Sequence, residues 1–591
     1  MTSSPRRASI ARTVAPFAIL GFAEILIFFH DTGHFFIADT LTWMAHRYTS
    51  VGEFLRGFVE VDPGLWYRPL AQRTVVSLLF PIFGLQPLAY RIVGFILFFL
   101  CTIGVYLVIE RLTASQRIAW FSVLVFAPHL IHTFPTYDAA FTPELLFTLF
   151  YIGSVLMYVR YLRTVNRKAL FGSAVLFVGS LLSKEMAVAL PFTLVAIWIL
   201  LPREKQGRLV SLLPHFALLG LYLIFAIGYL HIRDLSFDDF VQSDVRSSEY
   251  SQGIGGHVFT NIRRSASWAF GISDEVHGYW TFDPAWVPSV LEVLRGLAVV
   301  GAIGVLFTRE RRFLLLGVAW YLTAGAPAFL LINHFLPYYL FAPLIGFGLA
   351  MGTILDWVYI QARKVVPRAG LAIPVVVLTI WTVIHASTGR RIADEHVMLA
   401  GAARINDATV YTLRKLHPSL PKGTKLVLFN EEIPLARRHR VDLALQLAYD
   451  DPTLITYLST ESFVVPYEEF KGGNVLVLKW RSGHVTDLTP FVHQRPDLLV
   501  AHPTSQNYHL EATQMDGKHY RIRVPELPGC SVTILYAVDG KVMEPVQTQL
   551  DDKGESPFIV PGGIEPGTYT FVAVRRTEDE TWVPINLILK V

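Results

Sequence analysis

The chain has 591 residues, of which 52% are hydrophobic and 17% charged, and its mean hydropathy is +0.43. Soluble globular proteins carry about 25% charged residues, so this composition excludes a disordered chain, a purely soluble one and a nucleic-acid reader that depends on a dense basic surface. The net charge of +4 is small for the length, and two cysteines, Cys101 and Cys530, support neither a disulfide framework nor a cysteine metal site.

The hydrophobic excess is concentrated in residues 14–386. Crossing a bilayer takes about 20 apolar residues. Candidate spans lie at 14–30, 87–109, 117–134, 142–161, 168–182, 186–202, 209–231, 288–307, 312–332, 335–356 and 368–386, eleven in all. The first follows Arg6, Arg7 and Arg12, but Glu24 interrupts it and no small-residue cleavage site follows, so it reads as a span rather than a signal peptide. Arg111/Arg117, Arg160/Arg163/Arg167/Lys168, Arg203/Lys205/Arg208, Arg309/Arg311/Arg312 and Arg363/Lys364/Arg368 fall on every second connection, whereas 135–141 and 333–334 hold no Lys or Arg. The positive-inside rule then predicts a cytoplasmic amino terminus and an extracytoplasmic tail. The long connections 31–86 and 232–287 lie on that same far side.

The expected fold class is a polytopic α-helical membrane protein, residues 1–386, followed by an extracytoplasmic α/β plus β-sandwich region. Residues 400–495 alternate helical patterns (401–416, 440–449) with the strand-like Lys425–Asn430 and Asn474–Lys479, a small α/β unit. Residues 505–591 are short alternating segments, His519–Val524, Ser531–Val538, Thr568–Arg575 and Asn586–Lys590, split by Asp516-Gly517, Asp539-Gly540 and Pro561-Gly562-Gly563. That is the pattern of an immunoglobulin-like β-sandwich.

The chemistry-bearing residues gather in far-side connections. The first holds Asp31, His34, Asp39, Glu53, Glu60 and Asp62, then Trp66-Tyr67-Arg68-Pro69-Leu70. A carboxylate held against a hydroxyl is a general base; most acids in such a loop are simply solvated. Asp39 stands out, with Phe35, Phe36 and Ile37 before it and Leu41 and Trp43 after it, a setting in which an unpaired charge is costly. In the next far-side connection Asp138 and Glu144 frame the start of the fourth span, and Glu144 also suits a helix first turn. His129 and His132, at i and i+3, have the spacing of two ligands on one helix face, or of a buried polar pair. No motif demands a cofactor, and a divalent metal is left open. Ser183-Lys184-Glu185 puts a lysine at a membrane boundary, where it either snorkels or holds an anion as a compact point charge. In 232–287, Asp234, Asp238, Asp239, Asp244 and Glu249 precede Arg263, Arg264 and Trp268, a combination suited to an interfacial helix. Tyr338 and Tyr339, after His334, read as interfacial aromatics.

Tyr67-Arg68-Pro69-Leu70, Phe83-Gly84-Leu85-Gln86-Pro87 and Ser183-Lys184-Glu185 with Pro191 resemble, over residues 14–386, the membrane half of the transmembrane tetratricopeptide-repeat O-mannosyltransferases. More broadly the chain resembles the GT-C glycosyltransferases, with the protein O-mannosyltransferases and lipid A aminoarabinose transferases. The resemblance implies a sugar donor on a polyprenyl phosphate, a catalytic base at Asp39, phosphate contacts from Arg68 and Lys184 with Tyr67 and Glu185 beside them, and acids at Asp138 and Glu144 by the fourth span. This chain departs from the pattern in three ways. It has one acid in Ala38-Asp39-Thr40, no arginine before Tyr338, and no tetratricopeptide repeats.

The expected activity is glycosyl transfer, hexosyl or pentosyl, on the extracytoplasmic face of a bacterial cytoplasmic membrane. The partners are a polyprenyl-phosphate sugar, a protein, lipid or glycan acceptor, and membrane lipids, with no nucleic acid. The alternative is a transporter or flippase, which calls for two related halves and interrupted helices; neither is visible in the sequence. A membrane-anchored binding protein needs only one span.

Overall fold

The structure, a computed structural model, describes residues 5–589 except 30–34, 47, 49, 60–66, 202–207, 233–251, 274–284, 368–369, 397–399, 431–439, 459–473, 482–483, 488, 491–510 and short stretches between strands beyond residue 516. The chain forms two compact units, Met1–Gly401 and Ala402–Val591. Asp31, His34, Glu60, Asp62, Asp234, Asp238, Asp239, Asp244 and Glu249 lie outside the described residues.

The first unit is helical. Its elements are α1 (Pro5–Phe28), α2 (Ala38–Ala45), α3 (Val51–Arg56), α4 (Thr74–Phe83), α5 (Pro87–Thr113), α6 (Gln116–Phe126), α7 (Thr133–Tyr137), α8 (Thr142–Thr164), α9 (Arg167–Ser183), α10 (Leu190–Leu200), α11 (Leu213–Ile232), α12 (Gly256–Ala269), α13 (Val287–Leu306), α14 (Arg311–Phe329), α15 (Pro343–Val365) and α16 (Ala372–Glu395). All eleven candidate spans fall on these helices. Among the described residues six helices are long and apolar enough to cross a membrane, or seven if α6 and the segment Leu130–Tyr137, bent by 59°, form one broken span. In the other four segments the described apolar stretches are Ala15–Phe28, Glu185–Leu200 and Leu209–Phe225, and α9 has 17 residues. Lys184 ends α9, and α10 and α11 each open from a 3-10 turn. Phe22, Leu26, Val293, Leu297, Val300 and Ile303 are exposed, the outward apolar surface expected of an integral membrane protein.

Small residues bring the helices close. A Cβ on Gly346 of α15 would lie 2.5 Å from the Gly317 carbonyl of α14. Gly352, two turns on, faces Ser122 and the Ile118 carbonyl of α6. Close backbone approach through small residues is how helices associate in lipid, where hydrophobic burial gives no gain.

The break between α6 and α7 frees backbone groups that water cannot satisfy inside a bundle. Histidines take them. The Leu130 N–H donates to His385 Nδ1 at 3.2 Å, the Ile131 N–H donates to His129 Nδ1 at 3.3 Å, and His132 Nε2 bonds the Phe126 carbonyl at 2.8 Å; His129 Nε2 also reaches the carbonyl of Ala269, at the end of α12, at 3.2 Å. His129 and His132 are both fully buried. In the structure they form a buried polar pair bonded to the broken helix. Among the described residues no group of three His, Cys, Asp or Glu side chains is arranged to hold a metal.

In the second unit α17 (Ala402–Leu416) and α18 (Val441–Tyr449) accompany a four-stranded sheet of order β2-β1-β3-β4, from β1 (Lys425–Asn430), β2 (Ile455–Leu458), β3 (Val475–Arg481) and β4 (His484–Asp487). β1 pairs in parallel with both β2 and β3, and β4 is antiparallel to β3. Leu426, Val427, Leu428, Val475, Val477 and Leu478 are buried, the near-continuous apolar run of strands covered on both faces. Beyond residue 510 lie two antiparallel sheets. One has the order β10-β6-β5, from β5 (Glu511–Asp516), β6 (His519–Arg523) and β10 (Glu555–Ile559). The other centres on β7 (Ser531–Val538) paired with β11 (Thr570–Arg576).

Candidate active site

Residues from four connections, around Arg68, Asp138, Lys184 and Tyr339, come together at one end of the helical unit. α8 begins at Thr142 with Glu144 in its first turn, while α9 runs back antiparallel and ends at Ser183. Lys184 then leaves the helix in an extended conformation. Its ammonium donates to Glu144 Oε1, and both side chains are almost fully buried. Lys184 Nζ also lies over the Tyr339 ring, 4.8 Å from the centroid, with the Tyr338 ring at 5.8 Å. Lys184 is therefore neither a lone cation nor a snorkelling one; its charge is enclosed and paired.

Beside it sits a second pair. Arg68, just ahead of the π-helical turn Pro69–Arg73, donates from Nε and Nη2 to the two oxygens of Glu185, at 2.8 and 2.7 Å. Glu185, expected at the donor end, is Arg68's bidentate partner. Arg68 feels the charge of Glu144 as well, so the two pairs form one cluster. Tyr67 turns elsewhere: its hydroxyl donates to the Phe58 carbonyl at 2.8 Å and its ring packs on Phe225 at 4.7 Å.

The acids form the other flank. Thr40 Oγ1 donates to Asp138 Oδ1 at 2.7 Å, joining α2 to the end of α7, and the Ala140 N–H bonds the same oxygen at 3.0 Å. Burial pushes the Asp138 carboxyl up to about 6, against these two hydrogen bonds, and the charges of Asp39 and Glu144 push the same way. Asp39 lies in the first turn of α2 next to Thr40. Its apolar setting in the sequence does not carry into space. Phe36, Ile37, Leu41, Trp43 and Met44 are buried, while Asp39 is exposed, because the helical turn sends it to the opposite face.

Sequence reasoning missed the aromatic link. Tyr338 and Tyr339, expected as interfacial aromatics, precede α15 in the turn Pro337–Leu340 and pack against the cluster. Tyr338 meets Phe141 at 4.7 Å, and its hydroxyl lies 3.4 Å from His334 Nε2. Their adjacency to a histidine in a charge-free connection was the available signal. Trp268, expected at a membrane surface, is instead buried and stacked on Phe335 at 5.0 Å. Its helix α12 docks through Asn261, which donates to the Phe329 and Leu331 carbonyls at the end of α14.

Residues 68–230, which hold Arg68, Asp138, Glu144, Lys184 and Glu185, match the family described as dolichyl-phosphate-mannose-protein mannosyltransferase. The chain thus resembles the GT-C membrane glycosyltransferases. No curated protein sequence matches it. Among solved structures it is similar to ArnT from Cupriavidus metallidurans bound to undecaprenyl phosphate, at 12% identity and a TM-score of 0.48, over 86% of this chain and 97% of that one. The apo state of the same protein gives 14% identity and a TM-score of 0.44, over 85% and 97%. The Archaeoglobus fulgidus oligosaccharyltransferase tethered to an acceptor peptide gives 12% identity and a TM-score of 0.42, over 98% of this chain and 77% of that one.

Proposed function

We propose that this GT-C-like protein transfers a sugar from a polyprenyl-phosphate donor to an acceptor hydroxyl on the extracytoplasmic face of a bacterial cytoplasmic membrane. One observation carries the reading. The buried Lys184–Glu144 pair and the Arg68–Glu185 pair stand together at the end of the bundle where Asp39 and Asp138 gather. Two enclosed cations beside carboxylates suit a reaction in which a phosphate leaves and a hydroxyl loses its proton.

In the reaction Asp39, the exposed acid, takes the proton of the acceptor hydroxyl. The acceptor oxygen attacks the anomeric carbon from the face opposite the phosphate. The bond from that carbon to the phosphate oxygen breaks, and the electron pair leaves with the lipid phosphate. Arg68 and Lys184 stabilise the departing charge, the pre-organised electrostatic help that outweighs most other contributions to catalysis. Asp138, tied to Thr40, holds the start of α2 and so sets the position of Asp39. In this reading the eleven helical segments cross the membrane, the amino terminus is cytoplasmic, and the α/β and β-sandwich domains, 400–495 and 505–591, lie on the side of the site.

The test is purified full-length protein with a panel of radiolabelled polyprenyl-phosphate sugars. Consumption of one of them with release of polyprenyl phosphate is expected. A panel left intact, with labelled lipid crossing proteoliposomes instead, points to the flippase alternative, which the bent α6–α7 segment keeps in view. Reporters fused after residue 165 and after residue 400 are expected on opposite sides of the membrane, the first cytoplasmic.

A further inference from the structure

Each cation assigned to the donor phosphate already has an anionic partner. Counting Arg68 and Lys184 against Glu144 and Glu185, the cluster is neutral. A lipid phosphodiester brings one more negative charge beside the enclosed Lys184, near Asp138, whose carboxyl already feels the charge of Glu144. An uncompensated charge there is costly, so either a carboxylate leaves its cation or it takes up a proton.

The geometry indicates which carboxylate yields. Glu185 is held by two parallel hydrogen bonds from the Arg68 guanidinium, the strongest form of such a pair. Among the described residues Glu144 is held by a single hydrogen bond, from Lys184. An ammonium has three N–H donors. Among the described residues one is spent on Glu144, and the other neighbours of Nζ are the faces of Tyr339 and Tyr338. Lys184 thus has donor capacity to spare, and its present acceptor is the most easily exchanged anion in the cluster.

We propose that Glu144 occupies the phosphate position on Lys184 in the resting protein, and that a lipid phosphodiester displaces it with uptake of one proton. This rests on the donor reading above and adds a regulation to it: Lys184 is closed by an internal anion until the donor arrives. Once displaced, Glu144 keeps the acid Asp138 as a neighbour, with Arg68 engaged by Glu185 and Lys184 engaged by phosphate. Protonation restores neutrality. The charge balance is one phosphodiester in, one proton in.

The experiment uses the full-length protein in nanodiscs and a polyprenyl methyl phosphodiester, which keeps a single charge across the working pH range. Titration calorimetry in two buffers of different ionisation heat reads the protons taken up. Wild type is expected to take up about one proton per probe bound. Glu144→Gln is expected to bind the probe about 5- to 100-fold more tightly, the size of an ordinary coupling between competing ligands, without proton uptake. Glu144→Asp keeps the competing charge and is expected to keep the uptake, so the argument stands even if the Gln variant does not fold. Binding to wild type with no proton uptake, or Glu144→Gln binding no more tightly and with the same uptake, overturns the displacement while leaving the donor reading intact. No binding to wild type or any variant overturns the donor reading, and the displacement with it.

Discussion

Two ion pairs with buried carboxylates stand at opposite ends of the helical unit, and they differ in kind. Lys184–Glu144 lies where α8 begins and α9 ends, with both partners enclosed. Arg117–Asp356 joins the start of α6 to α15, 13 residues past Pro343 and so about 20 Å along that helix. There the carboxylate is buried but the arginine is 44% exposed and lies over the Tyr359 ring at 4.6 Å. Arg117 keeps its hydration and ties two helices together. Lys184 gives up its hydration for one hydrogen bond and two ring faces. Replacing a buried pair by apolar residues is often neutral or stabilising, so stability alone gives little reason to keep Lys184 charged. Under the proposed function, the comparison sets a charge that fastens helices against one held ready for a ligand.

The sharpest way to break that distinction is to remove the enclosed cation. Lys184→Met keeps much of the length and leaves Glu144 buried without a partner, which costs about 3–5 kcal/mol. The expected outcome is a marked fall in thermal midpoint together with loss of donor binding and turnover. Adding Glu144→Gln removes the stranded charge and is expected to restore the midpoint but not the binding. Normal phosphodiester binding in the single or the double variant would place Lys184 with Arg117 as a fastener.

Asp39 is expected to fail differently. Asp39→Asn keeps the shape of an exposed helix-start residue and removes a proton acceptor. General-base contributions are typically about 10²–10⁴-fold, so turnover is expected to fall by that order while donor binding and thermal midpoint stay near wild type. Unchanged turnover would shift the base role to Asp138 or Glu144. Asp138 gives a smaller, pH-dependent effect. Its carboxyl is pushed up to about 6, above the usual value of about 3.9. The folded protein therefore binds this proton more tightly than the unfolded chain. The stability this adds is present below the unfolded value and is lost as pH rises through about 6. Asp138→Asn is expected to flatten that dependence, read as thermal midpoint against pH between about 4 and 7. A slope equal to wild type would assign the dependence to another group.

The helical half was legible because long apolar runs are strong signals, and all eleven segments fall on helices. The ends of α9 and α10 were less legible, since they depend on Lys184 and the 3-10 turn that follows it. The candidate site residues could be singled out in the sequence, but not their partners. Glu144 and Lys184 are 40 positions apart, and only the antiparallel packing of α8 on α9 makes them neighbours. A usable signal did exist: opposite charges at the same-side ends of consecutive apolar segments, which usually pack together. Asp39 shows the reverse failure, because apolar neighbours in sequence do not bury a side chain that the helix turns outward. In the second unit β1 and β3 were readable as apolar runs, whereas β2 and β4, four residues each, fall below what alternation can reveal.

The mildest prediction tests the other side of the comparison. If Arg117–Asp356 is only a fastener, Arg117→Gln should leave donor binding and turnover at wild-type values. The cost to stability should also be modest. Arg117 is well solvated, and pairs of that kind contribute about 0–1 kcal/mol; its stacking on Tyr359 adds an exposed cation–π contact of about 0.5–1 kcal/mol. Asp356 is then left buried, but the glutamine amide can still donate to it, so the penalty stays below that of the Lys184 variant. Asp356→Asn is expected to act alike, since it also keeps a hydrogen-bond acceptor opposite Arg117. Thermal midpoints and donor titrations on the same preparations read both quantities. An Arg117→Gln protein that folds normally but loses donor binding would mean that the two ends of the helical unit are coupled through α6 and the histidine-held break. The boundary between fastening and functional charges would then have to be redrawn.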